Sequence, residues 1–301
     1  MTARRTALYD RHVSLGAHMA AFAGYDMPIR YSGIYEESAA VRSAAGVFDV
    51  SHMARLLFPA DASAFLQKLL TCDVAALDPG KGKYAVILND NAGILDDIIV
   101  FRRPDQQYLL VVNAGNHQKI NQWIIDHGGH LTDLTATTAM LALQGPDAER
   151  ILSGVASPIR GGRAISDLSS FEGADLDWRD VGPVWISRTG YTGEDGFEIV
   201  LPVSAAEKVW NWLVNLGSVS PCGLGARDVL RLEAGLHLYG SDMDESVSPC
   251  DCGLAFAVTS GQDFWGAEAL KRRPVRRRLV GLDAGSQPSV ILRHGFQILA
   301  G

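Results

Sequence analysis

The sequence predicts an α+β fold, and three observations carry that prediction. Strand-like and helix-like runs follow one another irregularly, without the βαβ rhythm of a parallel sheet. Residues 84–112 read as three strands joined by two turns, an antiparallel meander. No repeat of solenoid period divides the chain. At 301 residues, 47% hydrophobic and 20% charged, the chain is long enough for two or three packed cores, and disorder is excluded.

The elements follow from local pattern. Residues 35–46 combine helix formers with acids at the start and Gly46 at the end, predicting a helix that closes at that glycine. Asp61 is placed to cap a helix over 62–70 whose stripe is Phe65, Leu66, Leu69 and Leu70. The meander comprises 84–89, 94–101 and 108–112, with turns at 90–93 and 104–105. A helix over 116–127 follows, closed by Gly128 and Gly129, with Ile120, Trp123 and Ile124 on one face. The second half is expected to hold strands near Leu141, at 184–187 and at 197–201, and helices at 205–216 and 226–234.

Charge and composition exclude several classes of function. The 27 basic and 34 acidic residues leave a net charge of −7, which gives no overall attraction to nucleic acid or an anionic membrane. No apolar run reaches the ~18 residues of a bilayer span. Behind Arg4, Arg5 and Arg11 the apolar stretch is short and interrupted by His18, which argues against a secretory signal and for the cytoplasm. Six of the eight residues from Lys271 to Arg278 are basic, but no aromatics alternate with them; the run reads as a solvated connector before a strand at 279–282. Four cysteines, none in a C-x-x-C pair, fit a reducing compartment. Cys250 and Cys252 lack the further ligands zinc requires, so buried inert thiols are expected and no metal.

Candidate chemistry lies in three places. Asp96 and Asp97 alternate sides in a strand apolar on both faces, Ile94, Ile98 and Val100 with the first, Leu95, Ile99 and Phe101 with the second. One of the two should therefore meet an enclosed polar space or a partner, the alternative being a strand-end aspartate beside a turn. In Arg188-Thr-Gly-Tyr-Thr-Gly-Glu-Asp-Gly-Phe-Glu198, three glycines allow a connection that bends closely around a bound group, or a plain hairpin with solvent-facing acids. Arg227 stands in the first turn of a helix, where a cation opposes the macrodipole and needs compensation. A carboxylate ligand would supply it, as would Asp228 or Glu233. His52, without a partner set, reads as structural.

Phe48-Asp-Val-Ser-His-Met53, Gly93-Ile-Leu-Asp-Asp97, the 188–198 run and Gly223-Leu-Gly-Ala-Arg-Asp-Val-Leu-Arg-Leu-Glu-Ala234, in that order, resemble the folate-dependent aminomethyltransferases, the T-protein family of the glycine cleavage system. Leu8-Tyr-Asp-Arg-His12 ahead and Tyr239-Gly-Ser-Asp-Met-Asp-Glu245 behind extend the likeness from about Thr6 to the end. Ala92 stands where the family usually has glycine, Phe101 where tyrosine is common, and Pro249-Cys-Asp-Cys-Gly-Leu254 replaces P-x-E-A-G-L.

The resemblance implies a three-lobed cloverleaf around a central folate site. Residues 1–53 with 139–230 would form the first folate-binding lobe, and 54–138 with 231–275 the second, carrying the Asp-Asp strand. Residues 276–301 would begin a C-terminal β-barrel left incomplete, since family members continue well beyond Gly301; open edges and pairing with another chain would follow. The implied reaction moves the one-carbon unit of aminomethyl-lipoyl H-protein to tetrahydrofolate, giving 5,10-methylenetetrahydrofolate and ammonia. Asp97 is similar to the family's catalytic carboxylate and Glu198 to the acid that binds the pterin. Met53, Tyr84, Asn113, Tyr191 and Arg227 are similar to further folate contacts. A folate-dependent demethylase of a small methylated compound, or a non-catalytic folate-binding relative inactive through truncation, are the alternatives.

Overall fold

A computed structural model describes residues 3–159 and 161–282. The fold is mixed α and β around three sheets. A seven-stranded sheet runs in the order Ala156–Pro158, Gly173–Trp178, Gly182–Ser187, Gly196–Pro202, Thr138–Gln144, Gly46–Asp49, Ser220–Cys222. A five-stranded sheet runs Gly82–Leu88, Ile94–Arg102, Tyr108–Val112, Ala54–Phe58, Thr132–Asp133, and its first three strands are the predicted antiparallel meander. A small third sheet joins Arg4–Arg5, Tyr25–Arg30 and His18–Phe22.

Burial of apolar faces stacks these layers. One face of the five-stranded sheet packs Leu56, Phe58, Val100, Leu110 and Val112 against Leu66, Leu69, Ile120 and Ile124 of two helices, Ser63–Leu69 and His117–Asp126. The far face of the seven-stranded sheet packs Leu141, Leu143, Ile186 and Ile199 against helix Ala206–Asn215 through Val209, Trp210 and Leu213. Between the sheets lies a shared core of Phe48, Phe101, Leu109, Val111, Met140, Trp185 and Val200, joined by Ala226 and Leu230 of helix Leu224–Glu233. Within it Phe101 and Trp185 meet edge to face at 5.6 Å, an arrangement favoured by the ring quadrupoles. Lys81 and Arg163 both pair with the buried Glu172, tying the two sheets at their margin.

Several expectations are corrected. The first predicted helix spans Ile34–Ser43, and Gly46 opens a strand instead of ending the helix. That glycine is required by packing: a Cβ there would lie 2.4 Å from Val41 and 2.7 Å from the Cys222 sulfur. Asp61 sits inside a short 3₁₀ turn, Ala60–Ala62, and makes no cap bond for the helix that begins at Ser63. The facing pattern of the Asp-Asp strand breaks at Leu95. A register shift pairs Ile87 with Asp96 and Leu88 with Ile94, so Leu95 is a bulge residue and turns into the helix-facing core. Residues 279–282 form no strand. The expected barrel over 276–301 has no strand at 276–282, and residues 283–301 lie outside the described residues. Of the pair expected to be buried, Cys252 is, whereas Cys250 is exposed on a turn.

The turn before the Asp-Asp strand is the tightest contact bearing on the site. At Gly93 a Cβ would stand 1.7 Å from the backbone oxygen of Glu245, and the segment is held there by Ile94 N–H donating to Val247 O at 3.0 Å. Any side chain must push these backbones apart. Gly93→Ala should therefore cost about 2 kcal/mol or more, read as a lowered melting temperature; an unchanged value would show that the two segments separate freely.

Candidate active site

The two acids of strand Ile94–Arg102 face opposite ways, and each meets different chemistry. Asp96 is fully buried on the helix-facing side. Its Oδ2 accepts Asn113 N–H at 3.0 Å, and its Oδ1 accepts Asn113 Nδ2 at 2.8 Å and Asn116 Nδ2 at 2.6 Å. Both asparagines sit where strand Tyr108–Val112 passes through a 3₁₀ turn into helix His117–Asp126. Asp97 shares the inter-sheet side with Ile99 and Phe101 and is only half-buried. Its Oδ1 accepts Asn113 Nδ2 at 2.7 Å and its Oδ2 accepts the Tyr84 hydroxyl at 3.0 Å. Tyr84 reaches it diagonally, since Tyr84 pairs with Ile99 and Val86 with Asp97.

Burial first, then the charge of Asp97, pushes the Asp96 carboxyl up to about 8 against the pull of the two asparagines. Burial also raises Asp97, opposed by the bonds from Tyr84 and Asn113. Two adjacent acids in a poorly solvated space resist carrying two negative charges together. Tyr84 is raised beyond the usual phenol range by burial and by Asp97, so it stays a neutral donor.

The second group comes from the seven-stranded sheet. Glu198 lies buried in strand Gly196–Pro202, where its Oε2 accepts the Thr189 hydroxyl at 2.6 Å. The 188–198 connection does wrap closely around a polar group, and that group is internal: Gln144. The Gln144 amide donates to Thr189 O at 3.1 Å and accepts from Thr192 Oγ1 at 2.9 Å. A Cβ at Gly190 would fall 1.8 Å from Gln144 Oε1, and one at Gly196 2.6 Å from its Nε2, which is why both positions are glycine. Arg42 ties the same loop down through Thr192 O and Glu194.

Arg227 makes no ion pair with the acids of its own helix. Asp228 pairs with Arg231 and Glu233 with Arg42, so neither supplies the expected partner. Its Nη1 is buried and finds no acceptor among the described residues. The guanidinium lies 4.6 Å from the Tyr191 ring centroid, a cation–π contact, and the Tyr191 hydroxyl donates to His237 O. Burial lowers the Arg227 pKa, with Glu198 and Tyr191 favouring the charge. Burial pushes Tyr191 up to about 12, with Arg227 opposing and Asp97 adding to the rise. Asp97, Tyr191, Arg227 and Glu198 thus feel one another across the seam between the sheets.

Met53 packs at the edge of the inter-sheet core, its carbonyl bound by the buried Arg55. His52 is buried against the rings of Phe22 and Tyr25 and is lowered to about 4 by burial, with Asp49 opposing and Arg227 and Arg55 assisting. Sequence reasoning missed Asn116, Gln144 and Thr189, which bond Asp96, the 188–198 connection and Glu198 respectively. Asn116 lies three residues after Asn113 at a strand-to-helix junction, a spacing that could have flagged it. No cluster of three or more metal-ligating side chains occurs among the described residues, and no helix there is long and apolar enough to cross a membrane.

Residues 8–262 match the GCVT N-terminal domain family. An aminomethyltransferase of Rubrobacter xylanophilus is 43% identical over all of this chain and 81% of its own length. One from Alcanivorax borkumensis is 47% identical over 89% of this chain and 74% of its own. The crystal structure of the glycine cleavage system aminomethyltransferase T from Bartonella henselae superposes with a TM-score of 0.80 at 37% identity, covering 89% of this chain and 74% of that one.

The acid pair has a consequence for stability. A carboxyl raised in the folded state keeps a proton that the unfolded chain has released, so between about pH 4 and about 8 the pair destabilises the fold increasingly as pH rises. Asp97→Asn removes the repulsion. Its melting temperature relative to the parent should climb between about pH 5 and about pH 8; a difference independent of pH would contradict the shared burial of charge.

Proposed function

This chain belongs to the GCVT family of aminomethyltransferases, and from that premise we propose that it transfers the one-carbon unit of aminomethyl-lipoyl H-protein to tetrahydrofolate. The products are 5,10-methylenetetrahydrofolate, ammonia and dihydrolipoyl H-protein, and the reaction belongs to glycine breakdown in the cytoplasm. The same reading divides the described chain into two lobes, 1–53 with 139–230 and 54–138 with 231–275, with the folate held centrally in a cloverleaf. In support, strands 46–49 and 138–144 share one sheet while 54–58 and 82–112 share the other.

The observation that carries the proposal is Asp97, a half-buried carboxylate at the sheet seam with one oxygen bonded only by Tyr84 among the described residues. The surrounding groups fit a reduced folate: a buried acid for its amino and ring N–H groups, a guanidinium whose Nη1 has no acceptor among the described residues, and two tyrosines. When bound, tetrahydrofolate supplies the nitrogens that accept the carbon. Asp97 holds negative charge next to the centre where positive charge develops as the bond to the leaving group breaks, in a site that water screens poorly. Its fixed carboxylate also orients the attacking nitrogen. Glu198 accepts N–H donors in a two-point match, its Oε2 also accepting the Thr189 hydroxyl that orients the carboxylate. Met53, Asn113, Tyr84, Tyr191 and Arg227 complete the contacts.

Incubating the purified chain with aminomethylated H-protein and tetrahydrofolate should yield methylenetetrahydrofolate and ammonia in equal amounts. Product from a small methylated amine without ammonia would instead favour the demethylase, and no turnover a binding role. Asp97→Asn should lower turnover by roughly 10²–10³-fold while tetrahydrofolate still binds within a few-fold; undiminished turnover removes its catalytic role. Glu198→Ala should weaken folate binding by about 10- to 100-fold, and an unaltered dissociation constant would refute that contact.

A further inference from the structure

Asp96 has no role in that mechanism, yet it is the most completely enclosed acid beside it. Its carboxylate is fully buried on the face turned away from the seam, so it cannot touch a ligand lying against Asp97. What it does touch is the asparagine that Asp97 also touches. Asn113 Nδ2 lies 2.8 Å from Asp96 Oδ1 and 2.7 Å from Asp97 Oδ1. A primary amide offers two N–H donors on one side and an acceptor oxygen on the other. With an acid on each side, only the orientation that aims nitrogen at both bonds both; the flipped amide would press its oxygen against the Asp97 carboxylate and forfeit the donor that the two acids share. Asn113 N–H and Asn116 Nδ2 supply the remaining bonds of Asp96, at 3.0 Å and 2.6 Å, so the clamp is fixed at the backbone as well.

We propose that Asp96 is a positioning residue: by clamping the Asn113 amide it holds Asp97 Oδ1 and leaves Asp97 Oδ2 as the oxygen turned to the substrate. The effect reaches Asp97 through the geometry of Asn113, and the charge of Asp97 in turn raises the Asp96 carboxyl. In its bearing on turnover the inference rests on the proposed function. Charged and titratable groups near the pair come from several elements: Tyr84 on the adjoining strand, Tyr191 in the glycine-rich connection, His237, Tyr239 and Cys252 in the segment beyond helix Leu224–Glu233, and Lys119, which bonds Tyr239. None of them bridges both acids as Asn113 does.

The test combines Asp96→Asn, Asn113→Ala and their double with two readouts. One is kcat and KM for tetrahydrofolate; the other is the titration curve of the Asp97 carboxyl, followed by carbon-13 NMR of labelled aspartate and identified by its loss in Asp97→Asn. Asp96→Asn should lower kcat roughly ten- to a hundredfold through misplacement of the acid, with KM within about threefold. The double should be no slower than Asn113→Ala alone, the non-additivity expected of residues acting through one another. In the parent the Asp97 resonance should carry, beyond its own step, a second step at about pH 8 where Asp96 gives up its proton, and Asp96→Asn should abolish it. Additive losses, a rise in KM with kcat intact, or a second step that persists in Asp96→Asn would overturn the proposal. Should Asp96→Asn fail to fold, Asn116→Ala strips one donor from Asp96 and should move that second step to higher pH; no movement overturns the proposal equally. A parent chain that makes no methylenetetrahydrofolate would defeat the functional reading alone, since the titration still decides the role of Asp96.

Discussion

Two neighbouring carboxylates on a strand covered on both faces constrain everything around them. Solvent cannot compensate Asp96, so the protein must, and it does so with an asparagine pair at the start of a helix. That arrangement sets the register between strand Tyr108–Val112 and the Asp-Asp strand and the entry of helix His117–Asp126. It also frees Asp97 to face the opposite way. An acid that is held, partly desolvated and left with one oxygen bonded only by Tyr84 among the described residues is costly for a fold and useful for chemistry, and the cost is offset by the bonds around the pair.

The site exists because two sheets meet face to face. Phe48, Phe101, Met140 and Trp185 close the middle of the seam, and the polar groups gather at its edge: Asp97 and Tyr84 from one sheet, Glu198 from the other, Tyr191 and Arg227 from the connection and the helix between them. Each is supported from behind. Thr189 bonds Glu198, Gln144 fills the loop that carries Tyr191, and Glu37 accepts the Gly223 N–H at 2.8 Å to fix the start of the helix that carries Arg227. The Arg227 Nη1 is left without an acceptor among the described residues.

Local pattern makes the meander, the amphipathic helices and the acid pair legible, because period and turn chemistry act over a few residues. The two-faced apolar strand even implies that one acid must find an internal partner. Which partner is not legible, since Asn113 and Asn116 reach Asp96 across 17 and 20 residues of chain. The same distance problem hides the pairing of Gly46–Asp49 with Thr138–Gln144, and with it the reason for glycine at 46. The glycine-rich connection does wrap a polar group, but Gln144 lies far from it in sequence and gives no local sign. The bulge at Leu95 is likewise invisible, because it arises from register with the neighbouring strand. Residue identities at the seam are legible only through likeness to a known family, never from spacing.

A crystal structure of the chain with bound tetrahydrofolate tests the central claim most directly. The account predicts a reacting ring nitrogen within about 3–4 Å of Asp97 Oδ2, directly or through one water, with the pterin's N–H donors on Glu198. A folate bound away from the seam, or one whose reactive nitrogens face Arg227 with Asp97 out of reach, would contradict it.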